Sequence, residues 1–248
     1  VYAVGGLRVV GFVVQPPAPA PAGGHPVILW LRGGNRDLGK VSPFHLAHML
    51  DLAEAGFVVV ATQYRGVDGG DGQDEFGGRD VADVHALVPL ARRLPGADAT
   101  RLFLVGNSRG AMSGLVAMRQ GLPVRAAAFR SGMYDLERTI RERPGLEQIY
   151  VEIVPEWTSD RAGALRRRSP IRWTGALRAP ILVLQARQDW RTSLDGALAF
   201  HLALGETDLE HALVIYERDE HQLAFHRREW LAETVAWFRR HDAPAAPR

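Results

Sequence analysis

The chain has 248 residues, of which 46% are hydrophobic and 23% are charged, as in ordinary soluble globular proteins. This length favours one α/β domain over residues 1–248 rather than two independent ones. The net charge is only +2 and the one basic cluster, arginines 166 to 168, is short, so a nucleic-acid partner is not favoured. Because cysteine is absent, disulfides, thiol nucleophiles and cysteine-bound zinc are excluded.

The sequence also argues against a membrane span, since no apolar run approaches the length needed to cross a bilayer. The first residues, VYAVGGLRVV, lack the basic start and small-residue cleavage site of a signal peptide. A signal removed ahead of residue 1 is equally compatible with this start. The sequence therefore leaves the compartment open, cytoplasmic or exported, and the oligomeric state as well.

Short apolar runs alternate with helical patterns through the first half of the chain. The runs predict strands at 9–15, 27–31, 57–62, 102–105 and 125–130, and the patterns between them predict helices at 43–55, 79–94 and from residue 111 onward. Ser42 is the expected N-cap of the first helix and Gly56 its C-terminal stop. Such alternation is typical of right-handed βαβ units and predicts an α/β fold with a mainly parallel, twisted sheet flanked by helices.

The pattern changes after residue 132. Three short helices are predicted at 134–142, 145–153 and 160–168, with no strand among them, and we interpret residues 133–172 as a small helical cap insertion over the active edge of the sheet. Strands at 181–184 and 213–216 and helices at 193–204 and 225–241 then complete the fold. We expect the tail DAPAAPR, residues 242–248, to fray.

The most informative stretch is LFLVGNSRGAMSG, residues 102–114. It combines an apolar strand, the pattern G-x-S-x-G and a helix, which is the arrangement of a nucleophile elbow. Its glycines, Gly106 and Gly110, would let strand and helix approach closely around a strained serine. The motif predicts that Ser108 presents its hydroxyl above the carboxyl edge of the sheet; a helix-capping serine in a plain βα turn is the alternative.

A serine nucleophile needs a histidine base and a carboxylate that orients it, and in α/β-hydrolases the acid and then the histidine follow the serine along the chain. Asp189 follows the strand ILVLQ, and His221 follows the last strand. Both positions fall at the expected carboxyl edge of the sheet. Ser108, Asp189 and His221 are therefore the predicted catalytic triad.

Three other residues compete for these roles. Asp195 falls within the helix after Asp189, and Asp219 would have to fold back onto the histidine. His226 is the nearest rival base, but it falls in the closing helix. The sequence favours Asp189 and His221 over all three.

The oxyanion of an acyl-transfer reaction needs two hydrogen-bond donors. The amide of Arg109, directly after the nucleophile, is the first candidate. The amide of Gly33, in the loop after the strand at 27–31, is the second, because a glycine lets the backbone approach the substrate. The side chain of Arg32 is an alternative donor and a possible substrate contact, and two glycines in a tight turn remain the simpler interpretation of Gly34.

The acidic loop allows more than one interpretation. The acidic loop at Asp68, Asp71, Asp74 and Glu75 could bind a substrate amine or a divalent cation, but its spacing lacks the pattern of a calcium loop and favours solvated turn residues.

The aromatic residues Tyr150, Trp157 and Trp190 would either shape the substrate pocket or pack the cap helices onto the sheet. The sequence gives both interpretations equal weight.

The pieces LRGGN, QYRGVDGGDGQDEFGGRDVADV, GNSRGAM, RSPIRW, LQARQDWRTS and ERDEH together resemble the catalytic domain of the prolyl oligopeptidase (S9) family, especially its short, propeller-less bacterial members. The resemblance runs from about Val9 to His241 and implies an α/β-hydrolase fold with the same triad. The chain departs from its relatives where Gln185 and Ala186 replace a histidine-glycine pair ahead of the acid. The propeller that supplies amine-binding glutamates in related aminopeptidases has no counterpart in this sequence.

These features predict a serine hydrolase that cleaves an ester or amide through an acyl-enzyme, without a metal or an organic cofactor. We expect a carboxylesterase acting on a small ester, because ester leaving groups need less assistance and no amine-recognition domain is visible. An S9-type peptidase or aminopeptidase acting on short peptides is the alternative. A non-catalytic, hydrolase-like binding protein is a third possibility from a different class.

Overall fold

The computed structural model describes residues 1–242, and residues 243–248 of the tail lie outside this range. Seven strands form the central sheet: β3 (Gly11–Val14), β4 (His25–Leu31), β5 (Val58–Thr62), β6 (Ala97–Asn107), β7 (Ala126–Arg130), β8 (Ile181–Ala186) and β9 (His211–Tyr216). Their order is β3-β5-β4-β6-β7-β8-β9, and only β3 is antiparallel to its neighbour. The predicted, mainly parallel α/β sheet is thus confirmed.

A small hairpin precedes the sheet and was not predicted. Its strands, β1 (Tyr2–Val4) and β2 (Leu7–Val9), pair antiparallel. Three residues are too few to show the period-2 alternation that marks a strand in sequence.

The helices flank the sheet and follow the predictions closely, with one exception. They are α1 (Pro43–Glu54), α2 (Val81–His85), α3 (Leu87–Ala91), α4 (Arg109–Arg119), α5 (Leu136–Glu142), α6 (Gly145–Ile153), α7 (Arg161–Arg167), α8 (Leu194–Gly205) and α9 (Arg227–Arg240). Ser42 is the N-cap of α1, as predicted. The single helix predicted at 79–94 is wrong: α2 and α3 replace it, because Pro89 has no N–H to donate to the carbonyl of His85 and the ladder breaks between them.

The segment between β7 and β8 contains helices and no strand in the described structure, as predicted. Helices α5, α6 and α7 are followed by two 3-10 turns, Pro170–Arg172 and Thr174–Ala176. The segment contributes Met133, Arg143, Leu146 and Ile149 to the wall of a cavity at the carboxyl edge of the sheet.

The sheet is buried on both faces, so alternate side chains of one strand enter different cores. Along β6, Leu102 and Leu104 join the apolar cluster on one face, and Phe103 and Val105 join the cluster on the other. This packing fixes the strands and brings the carboxyl ends of β4, β6, β7 and β8 to one edge. Within residues 1–242, no helix is long and apolar enough to cross a membrane.

Candidate active site

Ser108 lies between β6 and α4 in a strained backbone conformation. Its φ is 53° and its ψ is −117°, which L-residues adopt rarely. The backbone N–H of Ser108 donates to the carbonyl oxygen of Arg130 at 2.9 Å, which fixes the turn against the end of β7. This is the geometry of a nucleophile elbow, in which the serine projects from a sharp strand-to-helix turn.

The two glycines of the elbow are required by close contacts. A Cβ on Gly106 would lie 2.7 Å from the carbonyl oxygen of Gly110, and one on Gly110 would clash with the carbonyl oxygen of Leu31. A larger residue at either position would therefore push apart strand β6, helix α4 and the end of β4.

His221 and Asp189 form a buried hydrogen-bonded pair. The Nδ1 of His221 lies 2.8 Å from Oδ2 and 3.0 Å from Oδ1 of Asp189. Asp189 follows β8 and His221 follows β9, and His221 lines the same cavity as Ser108. With Nδ1 engaged by the carboxylate, Nε2 is the ring atom left to exchange a proton with the serine.

The Asp189 carboxylate is held by more than the histidine. Its oxygens accept hydrogen bonds from the Thr192 hydroxyl at 2.7 Å, the Thr192 amide at 3.0 Å and the Arg191 amide at 2.8 Å. Burial alone would raise the pKa of Asp189, but the hydrogen bonds from His221 and Thr192 outweigh it and hold the pKa below its ordinary value. The carboxyl is therefore ionised and fixed in orientation at neutral pH.

The residues that competed for the triad lie elsewhere. His226 Nδ1 lies 2.9 Å from Oδ2 of Asp219, so these two residues pair with each other. Asp195 lies in the first turn of α8.

A cavity of about 290 Å³ lies above Ser108 and His221. Gly33 and the first residue of α4, Arg109, are in its wall. A Cβ on Gly33 would lie 3.0 Å from Cβ and 3.7 Å from Oγ of Ser108, so its backbone passes directly beside the serine. Both candidate oxyanion donors are thus brought to the serine.

Arg32 differs from the expectation, because its side chain is fully buried and does not line the cavity. Its guanidinium donates to carbonyl oxygens of Gly33 at 2.9 Å, Arg36 at 2.8 Å, Leu38 at 3.2 Å and Gln63 at 2.8 Å. Burial, followed by the charge of Arg109, lowers the pKa of Arg32 to about 10, so it stays charged. Arg32 therefore braces the Gly33 loop from behind and cannot serve as an oxyanion donor or substrate contact in this arrangement.

The side chain of Arg109 points away from the cavity into a buried ion-pair cluster. Its Nη1 lies 2.6 Å from Oδ2 of Asp74, and its Nη2 lies 2.6 Å from Oδ2 of Asp80. The guanidinium also lies over the rings of Tyr64 and Phe76, at 4.5 and 4.7 Å from their centroids. This cluster ties the first residue after the nucleophile to the acidic loop.

The acidic loop is therefore neither a solvated turn throughout nor an open cation site. Asp74 and Glu75 are buried, and Glu75 pairs with Arg79 at 2.5 Å. Asp68 is exposed and Asp71 is partly exposed, and they pair with Lys40 at 3.1 Å and Arg8 at 3.0 Å.

Of the three aromatic candidates, two pack and one is exposed. Tyr150 and Trp157 are buried with ring centroids 5.3 Å apart, and Tyr150 also packs edge-on against Phe76. Neither lines the cavity. Trp190 is 62% exposed beside His221, and the guanidinium groups of Arg143 and Arg191 lie near its ring.

Sequence reasoning missed Arg130, which lies at the end of β7 and lines the cavity with Ser108 and His221. Its Nε donates to Oδ1 of Asn107 at 2.7 Å, its Nη1 donates to the carbonyl of Gln222 at 2.6 Å, and it stacks on Trp230. It thus joins the residue before Ser108 to the residue after His221. A charged residue ending an otherwise apolar predicted strand, RAAAFR, was the available signal.

Comparison with known proteins agrees with this arrangement. Over 196 residues the chain is 31% identical to the uncharacterized peptidase YtmA of Bacillus subtilis, covering 78% of this chain and 73% of that protein. It is 25% identical to the acylamino-acid-releasing enzyme of Homo sapiens, over 95% of this chain but only 34% of that enzyme.

Among solved structures, a Mycobacterium tuberculosis puromycin-hydrolyzing peptidase is similar with a TM-score of 0.81 and 23% identity, over 96% of this chain and 38% of the other. Pyrococcus horikoshii acylaminoacyl peptidase gives a TM-score of 0.79 and 20% identity, over 97% and 41%. The chain thus spans about a third to two fifths of the length of the human enzyme and of these two solved structures.

These likenesses confirm the α/β-hydrolase fold. The model of the prolyl oligopeptidase family matches residues 44–243, which include the elbow and both members of the histidine–aspartate pair. With that match, the resemblance carried by the sequence motifs is confirmed, and the chain belongs to the prolyl oligopeptidase family of serine hydrolases.

Proposed function

We propose that this protein is a serine peptidase that hydrolyses amide bonds of short peptides through an acyl-enzyme, with Ser108, His221 and Asp189 as its triad. The observation that carries the proposal is that His221, which is paired with the buried Asp189, lines one cavity with a serine at a strained elbow. Peptidase, rather than the esterase favoured by the sequence, is the better-supported activity, because the similar proteins are named as peptidases and acylamino-acid-releasing enzymes.

In this mechanism, the Oγ of Ser108 attacks the scissile carbonyl carbon while Nε2 of His221 takes the hydroxyl proton. Asp189 holds the imidazole tautomer through Nδ1 and stabilises the imidazolium that forms. His221 then gives the proton to the leaving nitrogen as the C–N bond breaks. Water attacks the acyl-enzyme by the same route, with its proton passing through His221 to Ser108, and releases the acid.

Backbone amides of Gly33 and Arg109 are the proposed oxyanion donors. Donors fixed before the reaction stabilise the developing negative charge without reorganising. The Arg32 bonds to the Gly33 loop and the Arg109 cluster with Asp74 and Asp80 hold the two donor segments in place.

A matched pair of substrates with one acyl group, the p-nitrophenyl ester and the p-nitroanilide of the same N-acetylated amino acid, tests the proposal. The wild type should cleave both, and Ser108→Ala should lower kcat for the anilide by on the order of 10⁴ to 10⁶. Ser159→Ala removes an exposed hydroxyl and is the matched control, with expected wild-type rates.

Turnover of the ester without the anilide, above the background of Ser108→Ala, would instead establish the esterase. Near-normal turnover by Ser108→Ala, or failure of a fluorophosphonate to label Ser108 in the wild type, would refute the triad and favour a binding protein.

A further inference from the structure

The wall of the catalytic cavity contains positive charge and, within the described residues, no aspartate or glutamate. Its lining includes four arginines, Arg109, Arg130, Arg143 and Arg191, together with an apolar side formed by Phe76, Met133, Leu146 and Ile149. His45 adds no charge at neutral pH, because burial, with help from Arg130 and Arg32, lowers its pKa to about 4. The cavity wall therefore carries positive side chains without an acidic side chain among them.

The four arginines are not equivalent. Arg109 is neutralised by Asp74 and Asp80 outside the cavity. Arg130 has no carboxylate within ion-pair distance in residues 1–242 and bonds to an amide and a carbonyl oxygen, so it is a positioning residue. Its charge nevertheless persists, since burial lowers its pKa only to about 10.

Arg143, just after α5, and Arg191, two residues after Asp189, form what we call the arginine rim of the cavity. The Nη1 of Arg143 donates to the backbone carbonyl of Arg191 at 3.2 Å. Both guanidinium groups lie near Trp190, at 5.4 and 4.9 Å from its ring. In the part of the chain that the structure covers, neither has a carboxylate within 4.0 Å.

Two like charges held side by side repel each other, and the charge of Arg191 contributes, after burial, to lowering the pKa of Arg143. A bound anion removes this repulsion and accepts directional hydrogen bonds from guanidinium groups. On its cavity side, where no aspartate or glutamate lines the wall, the rim thus favours an anionic ligand group.

We infer that the arginine rim selects peptides that carry a carboxylate close to the scissile bond. The inference rests on the proposed peptidase function and adds the substrate class. A carboxylate has two sources in a peptide, an acidic side chain and the free C-terminus, and the rim chemistry is the same for both. A free amino terminus is disfavoured there, because the rim would repel it and the cavity wall offers no carboxylate to bind it.

Three acetylated tripeptides that differ in one group test the inference: acetyl-leucyl-alanyl-glutamine amide, the corresponding glutamate amide, and the glutamine peptide with a free carboxyl end. Cleavage of the leucyl-alanyl bond is followed by chromatography at low ionic strength. At least one acidic peptide should exceed the neutral amide about tenfold in kcat/KM, the size of one charge-assisted hydrogen bond. Which acid is preferred identifies the source of the carboxylate.

The double variant Arg143→Gln with Arg191→Gln should bring the acid-to-neutral ratio to within about twofold, because the charge-assisted bonds are lost. Arg141→Gln removes an exposed arginine of α5 that does not line the cavity, and it should leave the ratio unchanged. Fluorophosphonate labelling of Ser108 in the double variant checks that the fold is intact.

Equal cleavage of all three peptides by the wild type, or a preference that survives in the labelled double variant, would overturn the rim as the carboxylate site and leave the peptidase function standing. Absence of any cleavage together with unlabelled Ser108 would overturn the proposed function itself.

Discussion

Arginines occur on two sides of the cavity that contains Ser108 and His221, and they differ in what they contact. On the sheet side, Arg32 and Arg109 are fully buried, and their guanidinium groups bind carbonyl oxygens or carboxylates of the protein. On the outer side, the arginine rim contacts an indole ring and one backbone carbonyl. Arginine thus binds groups of the protein itself on one side of the cavity, and it faces solvent or a ligand on the other.

The difference follows from the cost of burying charge. A buried guanidinium without partners is strongly unfavourable, so Arg109 requires Asp74 and Asp80 and in turn fixes the elbow to the acidic loop. A solvated guanidinium needs no partner and stays available for an external carboxylate. Stability should therefore depend on the sheet side, and substrate choice on the rim.

The largest expected effect on stability comes from Asp74→Asn, which leaves the buried Arg109 with one carboxylate. Asp74 also accepts the backbone amides of Arg36 at 2.7 Å and Phe76 at 2.8 Å. We expect the free energy of unfolding to fall by about 3–5 kcal/mol in urea titration, as when one partner of a buried pair is removed. Asp71 lies in the same loop, but its pair with Arg8 is open to solvent. Asp71→Asn should therefore have a much smaller effect on the free energy of unfolding.

The same contrast has a pH signature. Burial alone would raise the pKa of Asp74, but Arg109 outweighs it and holds the pKa below the ordinary value of 3.8. A carboxyl with a depressed folded pKa contributes stability above its unfolded pKa, and this stability is lost as the pH falls through the folded pKa. Asp74→Asn should therefore flatten the acid limb of the stability curve below about pH 4. Equal losses for Asp74→Asn and Asp71→Asn would contradict the comparison.

The sequence predicted the elements that depend on local pattern. The triad candidates could be located because each follows an apolar strand, and the ends of parallel strands meet at one edge. The helix predicted at 79–94 failed because a single proline outweighed its amphipathic pattern.

The contacts of Arg32, Arg109 and Asp74 could not be predicted, because they depend on how the chain folds in space and not on a local sequence pattern. Arg32 binds carbonyl oxygens whose positions depend on the tertiary fold, and Asp74 meets Arg109 across 35 residues. From hydropathy alone these charged residues are expected at the surface, whereas all three are buried in the structure. Thr192 is different, since its place three residues after Asp189 is a local capping pattern that sequence could have revealed.

A smaller effect, on activity rather than stability, is expected for Gly33→Ala. The new Cβ would lie 3.0 Å from Cβ of Ser108 and 3.2 Å from the carbonyl oxygen of Asn107, so the loop or the serine must move by a few tenths of an ångström. We expect kcat/KM for the anilide to fall roughly tenfold, because oxyanion donors act only when well placed. Gly145→Ala, at the start of α6 with open space around its Cα, is the control. An unchanged rate in Gly33→Ala would exclude this loop from the oxyanion site.

The smallest expected effect is on the stability of rim variants. Arg143→Gln and Arg191→Gln each remove a charge that has no ion-pair partner in residues 1–242, and Arg191 is exposed. We expect the free energy of unfolding to change by about 0.5 kcal/mol or less, as for ordinary surface substitutions, and the double variant to be no less stable because the repulsion between the two guanidinium groups is relieved. Urea titration of both variants beside Asp74→Asn measures this directly. A loss comparable to that of Asp74→Asn would mean that the rim arginines hold the cap segment in place, and their effect on substrate choice would then have to be separated from a change in the shape of the cavity.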